Sequence, residues 1–111
     1  MKTGRFVAVD LGATSGRVML AEVGPGSLEM QETDRFANDP VYLWNGQRTA
    51  MHWDLPGLFA GICAALAQAI RSTPDLTSIG VDSWAVDYGL LRHGRLLGLP
   101  HHYRDARCGR G

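Results

Sequence analysis

An excess of charge of either sign is the first thing this 111-residue sequence lacks: Lys and Arg total 11, Asp and Glu total 11, and the formal net charge is zero. That balance argues against a general nucleic-acid binder, which carries a basic excess on one face, and against an acidic or basic disordered tail. Cysteine is scarce, with only Cys63 and Cys108, and neither has a CxxC or metal-like neighbour. Two free thiols in a reducing cytosol are the expectation. Met1-Lys2-Thr3-Gly4-Arg5 offers no apolar core of the ~7–15 residues that a signal peptide needs. The longest apolar run, Leu55 to Ile70, contains Gln68 and falls about four residues short of a membrane span. The sequence is therefore read as cytoplasmic. Internal repeats, low-complexity segments and linkers are also missing. Glycine is plentiful, at 14 residues, which points to many tight turns.

The chain reads as βββα followed by a strand and a hairpin. Phe6-Val7-Ala8-Val9 is a short apolar run that ends at Asp10, as a buried strand would. Leu11 to Gly16 is a small-residue turn, and Arg17 to Val23 a second strand, antiparallel to the first. Gly24-Pro25-Gly26-Ser27 is a turn, and Leu28 to Phe36 a third, edge-like strand with one wet face. Ala37 to Met51 reads as an irregular loop, with Asp39-Pro40 and Asn45-Gly46 as turn signals. A helix is predicted from about Leu55 to Ser72, capped by Asp54 and with Pro56 in its first turn. Leu58, Ile62, Leu66 and Ile70 recur at four-residue steps beside Phe59, Cys63 and Ala69, giving a broad apolar face. The Gly57-x-x-x-Gly61 spacing lets another element approach that helix closely.

Ile79 to Trp84 is a buried strand reached through the helix, so it should lie parallel to an earlier strand. Val86 to Leu91 and Arg95 to Leu99 predict a hairpin turning at His93-Gly94. His52 and His93 sit beside turns and are expected in solvent. His101-His102 is a weak metal motif, because adjacent histidines on a strand point apart and no further ligand has suitable spacing.

Two constellations carry chemistry. In the first, Asp10 ends a strand and Leu11-Gly12-Ala13-Thr14-Ser15-Gly16-Arg17 follows. Small residues let backbone N–H groups approach phosphate oxygens, and Thr14 and Ser15 add hydroxyls. Asp10 is a candidate for Mg²⁺, since hard cations prefer carboxylate oxygen. Arg17 is a candidate to stabilise phosphoryl charge or to anchor the turn. A P-loop is excluded because Gly16 is not followed by Lys-Ser/Thr, and a dinucleotide loop because this turn opens a strand. An ordinary hairpin turn remains the alternative. In the second, Asp82, Ser83, Trp84 and Asp87 stand where a buried strand runs out. A polyol needs carboxylates and hydroxyls for its OH groups and a flat apolar face, which Trp84 can supply. Equally, Trp84 can be core and the aspartates can cap turns.

The segment Asp10 to Arg17 resembles the first phosphate motif of the sugar kinase/actin superfamily. Within it, five segments in order resemble the rhamnulokinase branch of the FGGY carbohydrate kinases. They are Val9 to Arg17, Arg35-Phe36-Ala37-Asn38, Trp53-Asp54, Gly80 to Tyr88, and Tyr103 to Arg107. The Asp82-Ser83-Trp84-Ala85-Val86-Asp87 run is the most telling, because other branches differ there. The resemblance implies an α/β, ribonuclease-H-like or actin-like ATPase fold, with 1–111 as the N-terminal part of a first domain and a second domain absent. It implies transfer of the ATP γ-phosphoryl group to the 1-hydroxyl of L-rhamnulose, with ATP and Mg²⁺ as cofactors. Ala13, Thr14, Ser15, Gly16 and Arg17 would serve ATP. Ala85, a glycine in many members, would touch the sugar with Trp84 and Asp87, and Asp10 would sit near the metal.

The implied partners are a small sugar and ATP, with no nucleic acid or membrane, in a relative that acts as a monomer or dimer. The catalytic base belongs to a part of those longer enzymes that has no counterpart here, so the 111 residues alone are expected to be inactive. With one helix for one sheet face, apolar surface is expected to remain exposed on the other. The competing readings are a kinase for another ketose or polyol, and a non-catalytic binding module on the same fold.

Overall fold

The computed structural model describes residues 3–107. Cys108, one of the two expected free thiols, lies outside the described residues; Cys63 is free and exposed. Three strands come first: β1 (Gly4–Leu11), β2 (Ser15–Gly24) and β3 (Ser27–Ala37). A small hairpin follows, β4 (Val41–Trp44) and β5 (Thr49–His52), then helix α1 (Leu55–Ser72), strand β6 (Ser78–Asp82), and a second small hairpin, β7 (Leu91–Arg92) and β8 (Arg95–Leu96).

The main sheet has the order β3-β2-β1-β6. β1 runs antiparallel to β2 and parallel to β6, and β2 runs antiparallel to β3 with a register shift at Val18/Met19. The expected antiparallel meander, helical crossover and parallel strand are all present. The parallel pairing follows from the crossover, because a chain returning through a helix re-enters the sheet in its original direction.

Alternation along β1 and β2 decides the core. Val7, Val9, Leu11 and Val18 face α1 and are buried, with Leu58, Ala65 and Ala69 of the helix packed onto them. α1 keeps the sequence-predicted limits. The Asp54 carboxylate accepts the Gly57 N–H at 3.1 Å, and proline occupies the first turn, where a missing N–H costs nothing. Its buried stripe is narrower than the periodicity predicted: Phe59 is 70% exposed and Ile70 47%. By length and composition α1 is long and apolar enough to cross a membrane, although here one side of it covers β1, β2 and β3.

Phe36 explains two glycines. Its ring lies between Gly16 on β2 and Gly61 on α1, where a Cβ at either position would press on it. Gly61 thus permits the close approach expected from the Gly57-x-x-x-Gly61 spacing. Gly57 instead leaves room for the capping carboxylate of Asp54.

Three expectations need correction. The segment 37–51 is not an irregular loop; it contains β4 and β5, paired from Val41↔His52 to Trp44↔Thr49 around the predicted Asn45-Gly46 turn. The hairpin predicted over 86–99 shrinks to two residues per strand, although its turn is where expected, with His93 and Gly94 both at positive φ. The strand predicted over 79–84 is not buried: every residue of β6 is exposed, including Ile79 and Val81, which share the face that α1 covers elsewhere. Exposed apolar surface therefore occurs on both faces of the sheet, since Leu28 and Met30 are exposed on the other. The radius of gyration, 17.1 Å, exceeds the ~13 Å of a compact domain this size, as the 59 Å long axis also shows.

Candidate functional site

β1 and β6 are parallel neighbours, so their carboxyl ends lie side by side. The chain leaves β1 through Gly12-Ala13-Thr14 and leaves β6 through Ser83 to Asp87. Both chemistry-bearing segments predicted from sequence therefore meet at one end of the sheet, the place where α/β sheets bind ligands.

The turn after β1 is held by backbone and by one buried side chain. Gly12 N–H donates to the Ser15 carbonyl at 2.9 Å. Asn38, 2% exposed, donates through its own N–H to the Thr14 carbonyl at 3.0 Å and through Nδ2 to the Gly12 carbonyl at 2.7 Å. The N–H groups of Ala13 and Thr14 donate to no acceptor among the described residues. Ser15 begins β2, and its Oγ accepts from Arg35 Nη1 at 3.4 Å. Gly16 is buried under Phe36, so packing accounts for its missing side chain.

A charged row crosses all four strands on the face away from α1. Arg35, Arg17, Asp10 and Asp82 are consecutive register partners from β3 to β6. Arg17 Nη2 pairs with Asp10 Oδ2 at 2.5 Å. Arg35 pairs with Glu32 at 2.9 Å, and this hydrogen bond pulls the Glu32 carboxyl below its ordinary range. Asp10 and Asp82 supply the oxygen donors that a hard cation takes. No group of three His, Cys, Asp or Glu residues disposed around a metal occurs among the described residues.

The segment after β6 is fixed by its tryptophan. Trp84 stacks on buried Trp53 with centroids 3.7 Å apart and planes 16° from parallel. Its indole N–H donates to the Gly12 carbonyl at 3.1 Å. One face of Trp84 is thus taken by Trp53, which leaves at most the other for a ligand. Ala85 is exposed. Asp87 is half-buried, and its Oδ2 is enclosed without a hydrogen-bond partner. Such an atom is costly unless a donor reaches it.

The segment beyond Pro100, which includes the Tyr103–Arg107 stretch of the resemblance, locks the second constellation in place. Asp105, 2% exposed, accepts from Arg48 through both oxygens at 2.7 and 3.1 Å, and from the N–H groups of Met51 and Arg107 at 2.7 and 3.0 Å. The Arg48 bonds come first in driving its carboxyl far below the ordinary range. His102 is buried against Trp53, and its N–H donates to the Met51 carbonyl at 2.9 Å. His52 is also buried rather than solvated: it faces the His101 ring at 4.2 Å, and its Nδ1 lies 2.8 Å from the Leu99 carbonyl. His93 is exposed, as expected. Burial depresses the pKa of both His101 and His102. Beside this assembly lies a groove of about 480 Å³ lined by Asp87, Tyr88, Leu90, Leu97, His101 and Arg107, with Arg107 Nη2 donating to the Tyr88 hydroxyl at 3.3 Å.

Sequence reasoning found the turn and the Asp82–Asp87 run but gave no role to Asn38, Trp53, His102 or Asp105. Asn38, Trp53 and Asp105 lie inside segments that carry the resemblance, which is the available signal; His102 lies outside them.

No family model matches the chain. A rhamnulokinase of Pectobacterium atrosepticum is 46% identical over 112 aligned positions, covering 96% of this chain and 21% of that protein. Rhamnulokinases of Yersinia pestis and Bacteroides thetaiotaomicron are 42% and 39% identical over 92% and 90% of this chain. A crystal structure of a carbohydrate kinase from Novosphingobium aromaticivorans superposes with a TM-score of 0.57 at 20% identity, over 95% of this chain and 21% of that one, which supports the fold. The chain spans about a fifth of the length of the curated relatives it matches. Over nearly all of its own length, this chain is homologous to the rhamnulokinases.

Proposed function

We propose that this chain forms the phosphate-cradling part and one wall of the sugar pocket of an ATP-dependent ketose kinase, with L-rhamnulose phosphorylated on its 1-hydroxyl. In this reading residues 1–111 are the N-terminal part of a ribonuclease-H-like first domain, working in the cytoplasm. The observation that carries it is the meeting of the Gly12–Ser15 turn and the Trp84–Asp87 segment at the carboxyl ends of two parallel strands.

Phosphoryl transfer rests on positioning and on neutralising charge. The unengaged N–H groups of Ala13 and Thr14 suit phosphate oxygens, with the Thr14 and Ser15 hydroxyls beside them. Asp10 would hold Mg²⁺, and the ion would offset charge on the phosphates. Arg17, paired with Asp10, keeps that carboxylate oriented. Gly16 acts through packing beneath Phe36. On the sugar side, the enclosed Asp87 Oδ2 offers an acceptor for a hydroxyl, Ala85 presents a small surface, and the free face of Trp84 offers an apolar one. No base for the attacking hydroxyl is assigned to these residues.

A hybrid enzyme tests this. Residues 3–107 replace the matching stretch of the Pectobacterium atrosepticum rhamnulokinase, and ADP formation is followed with L-rhamnulose. Ketose-dependent turnover within about tenfold of the parent is expected. A soluble, folded hybrid that turns over no ketose sinks the proposal, and one that prefers another ketose redirects its substrate.

A further inference from the structure

The two constellations are not merely adjacent; one peptide group joins them. The Gly12 carbonyl accepts two hydrogen bonds, from Asn38 Nδ2 at 2.7 Å and from Trp84 Nε1 at 3.1 Å. That carbonyl and the Ala13 N–H belong to the same peptide unit, which is planar and trans, so the two point in opposite directions. Fixing the carbonyl therefore fixes the aim of the Ala13 N–H, which has no acceptor among the described residues. Asn38 is anchored independently, through its N–H to the Thr14 carbonyl. Trp84 is different. Its ring is clamped on one face by Trp53, and Ala85 to Asp87 follow it directly in the chain. A shift of that segment turns the indole, and the indole is tied to the peptide that aims Ala13.

We propose that Trp84 is a positioning residue that couples nucleotide binding to ketose binding through the Gly12–Ala13 peptide. This rests on the function proposed above. Occupation of the sugar side holds the indole still and presets the Ala13 N–H for phosphate. A phosphate drawing on the Ala13 N–H polarises the same peptide, strengthens the bond that its carbonyl accepts from Trp84, and presets the sugar side. Coupling of this kind is reciprocal: each ligand tightens the other by one and the same factor.

The test uses the hybrid enzyme and its Trp84→Phe variant, which keeps an aromatic ring against Trp53 and removes the N–H together with part of the indole's area. The affinity of a non-hydrolysable ATP analogue is measured with and without saturating L-rhamnulose, and the affinity of L-rhamnulose with and without the analogue. One neutral hydrogen bond is worth about a fivefold factor. Both ratios are expected to fall about fivefold in the variant, by equal amounts, whatever the smaller ring does to the affinity for ketose alone. A purely structural tryptophan would weaken both ligands and leave the ratios intact. A second measurement needs no substitution: on ¹⁵N-labelled hybrid, the Trp84 indole N–H resonance is expected to shift when the analogue binds without ketose. Unchanged ratios in a hybrid that phosphorylates L-rhamnulose, or an unmoved indole resonance, overturn the coupling and leave the functional proposal standing. A hybrid with Trp84 intact that phosphorylates no ketose overturns both.

Discussion

Gly16→Ala separates packing from phosphate contact at a position that the sequence motif assigns to ATP. An added methyl would meet the Phe36 ring, with further ring carbons at 2.5 and 2.9 Å. The ring also lies against α1, where a Cβ built at Gly61 would stand 3.0 and 3.2 Å from it, so its room to move aside is small. Overpacking of this kind costs about 1–3 kcal/mol. Removing a glycine from the unfolded chain returns about 0.4–1 kcal/mol. The net loss is then about 1–2 kcal/mol, or a midpoint lower by about 1 M urea for a small protein. Tryptophan fluorescence during urea titration at submicromolar concentration reads it, since the Trp53–Trp84 stack reports the folded state. Phe36→Leu in the same chain should relieve the clash, so the double variant should be at least ~1 kcal/mol more stable than the sum of the single effects. A midpoint unchanged by Gly16→Ala, or a strictly additive double variant, refutes the packing argument and returns Gly16 to the ligand.

Three further outcomes follow from the rest of the fold. Asp105→Asn removes the charge held by Arg48 and weakens the tie between the tail and β5; with Arg48 partly solvated the loss is ~1–2 kcal/mol, and the Met51 and His102 amides should exchange about tenfold faster. Unchanged protection there would contradict the clamp. Burial lowers the pKa of His101 and His102, and the Arg48 bonds lower that of Asp105, so each is below its unfolded value and each contributes stability that is lost as pH falls. The histidines act below about 6.5 and Asp105 below about 4, so the melting temperature should be lower at pH 5.5 than at pH 7.5; a flat or inverted profile refutes the assignment. Val81 is 60% and Ile79 46% exposed on an uncovered part of the helix-side face, so the 111-residue polypeptide should self-associate at tens of micromolar, and Val81→Lys should reduce this in sedimentation velocity. An unsubstituted chain that stays monomeric would contradict it.

The elements legible in the sequence are those governed by local chemistry. Asp54, Pro56 and the four-residue apolar steps set α1, and Gly24-Pro25-Gly26 sets the β2–β3 turn. The β4–β5 hairpin was not legible, because Tyr42, Leu43 and Trp44 are all exposed and carry no apolar–polar alternation. Contacts distant in sequence hold it instead, from His52 to His101 and from Arg48 and Met51 to Asp105. The same distance hid Asn38, whose role exists only where β3 ends beside Gly12. For Trp84 the sequence suggests a flat face for a sugar or a place in the core; in the structure Trp53 covers one face and the Gly12 carbonyl takes the N–H. The motif also attached Gly16 to phosphate, although the neighbour that demands a glycine there is Phe36.

In the proposed function the end of β1 serves the nucleotide and the segment after β6 serves the sugar. Steady-state kinetics of Asp10→Asn and Asp87→Asn in the hybrid test it most directly. A split is expected: Asp10→Asn lowers kcat by about a hundredfold with the ketose KM within about twofold, on the scale of losing a group that stabilises transition-state charge. Asp87→Asn raises the ketose KM about tenfold and leaves the ATP KM within about twofold, as loss of one charged hydrogen bond should. The same pattern from both substitutions, or an Asp87→Asn enzyme with an unaltered ketose KM, would refute this division of roles between the two segments.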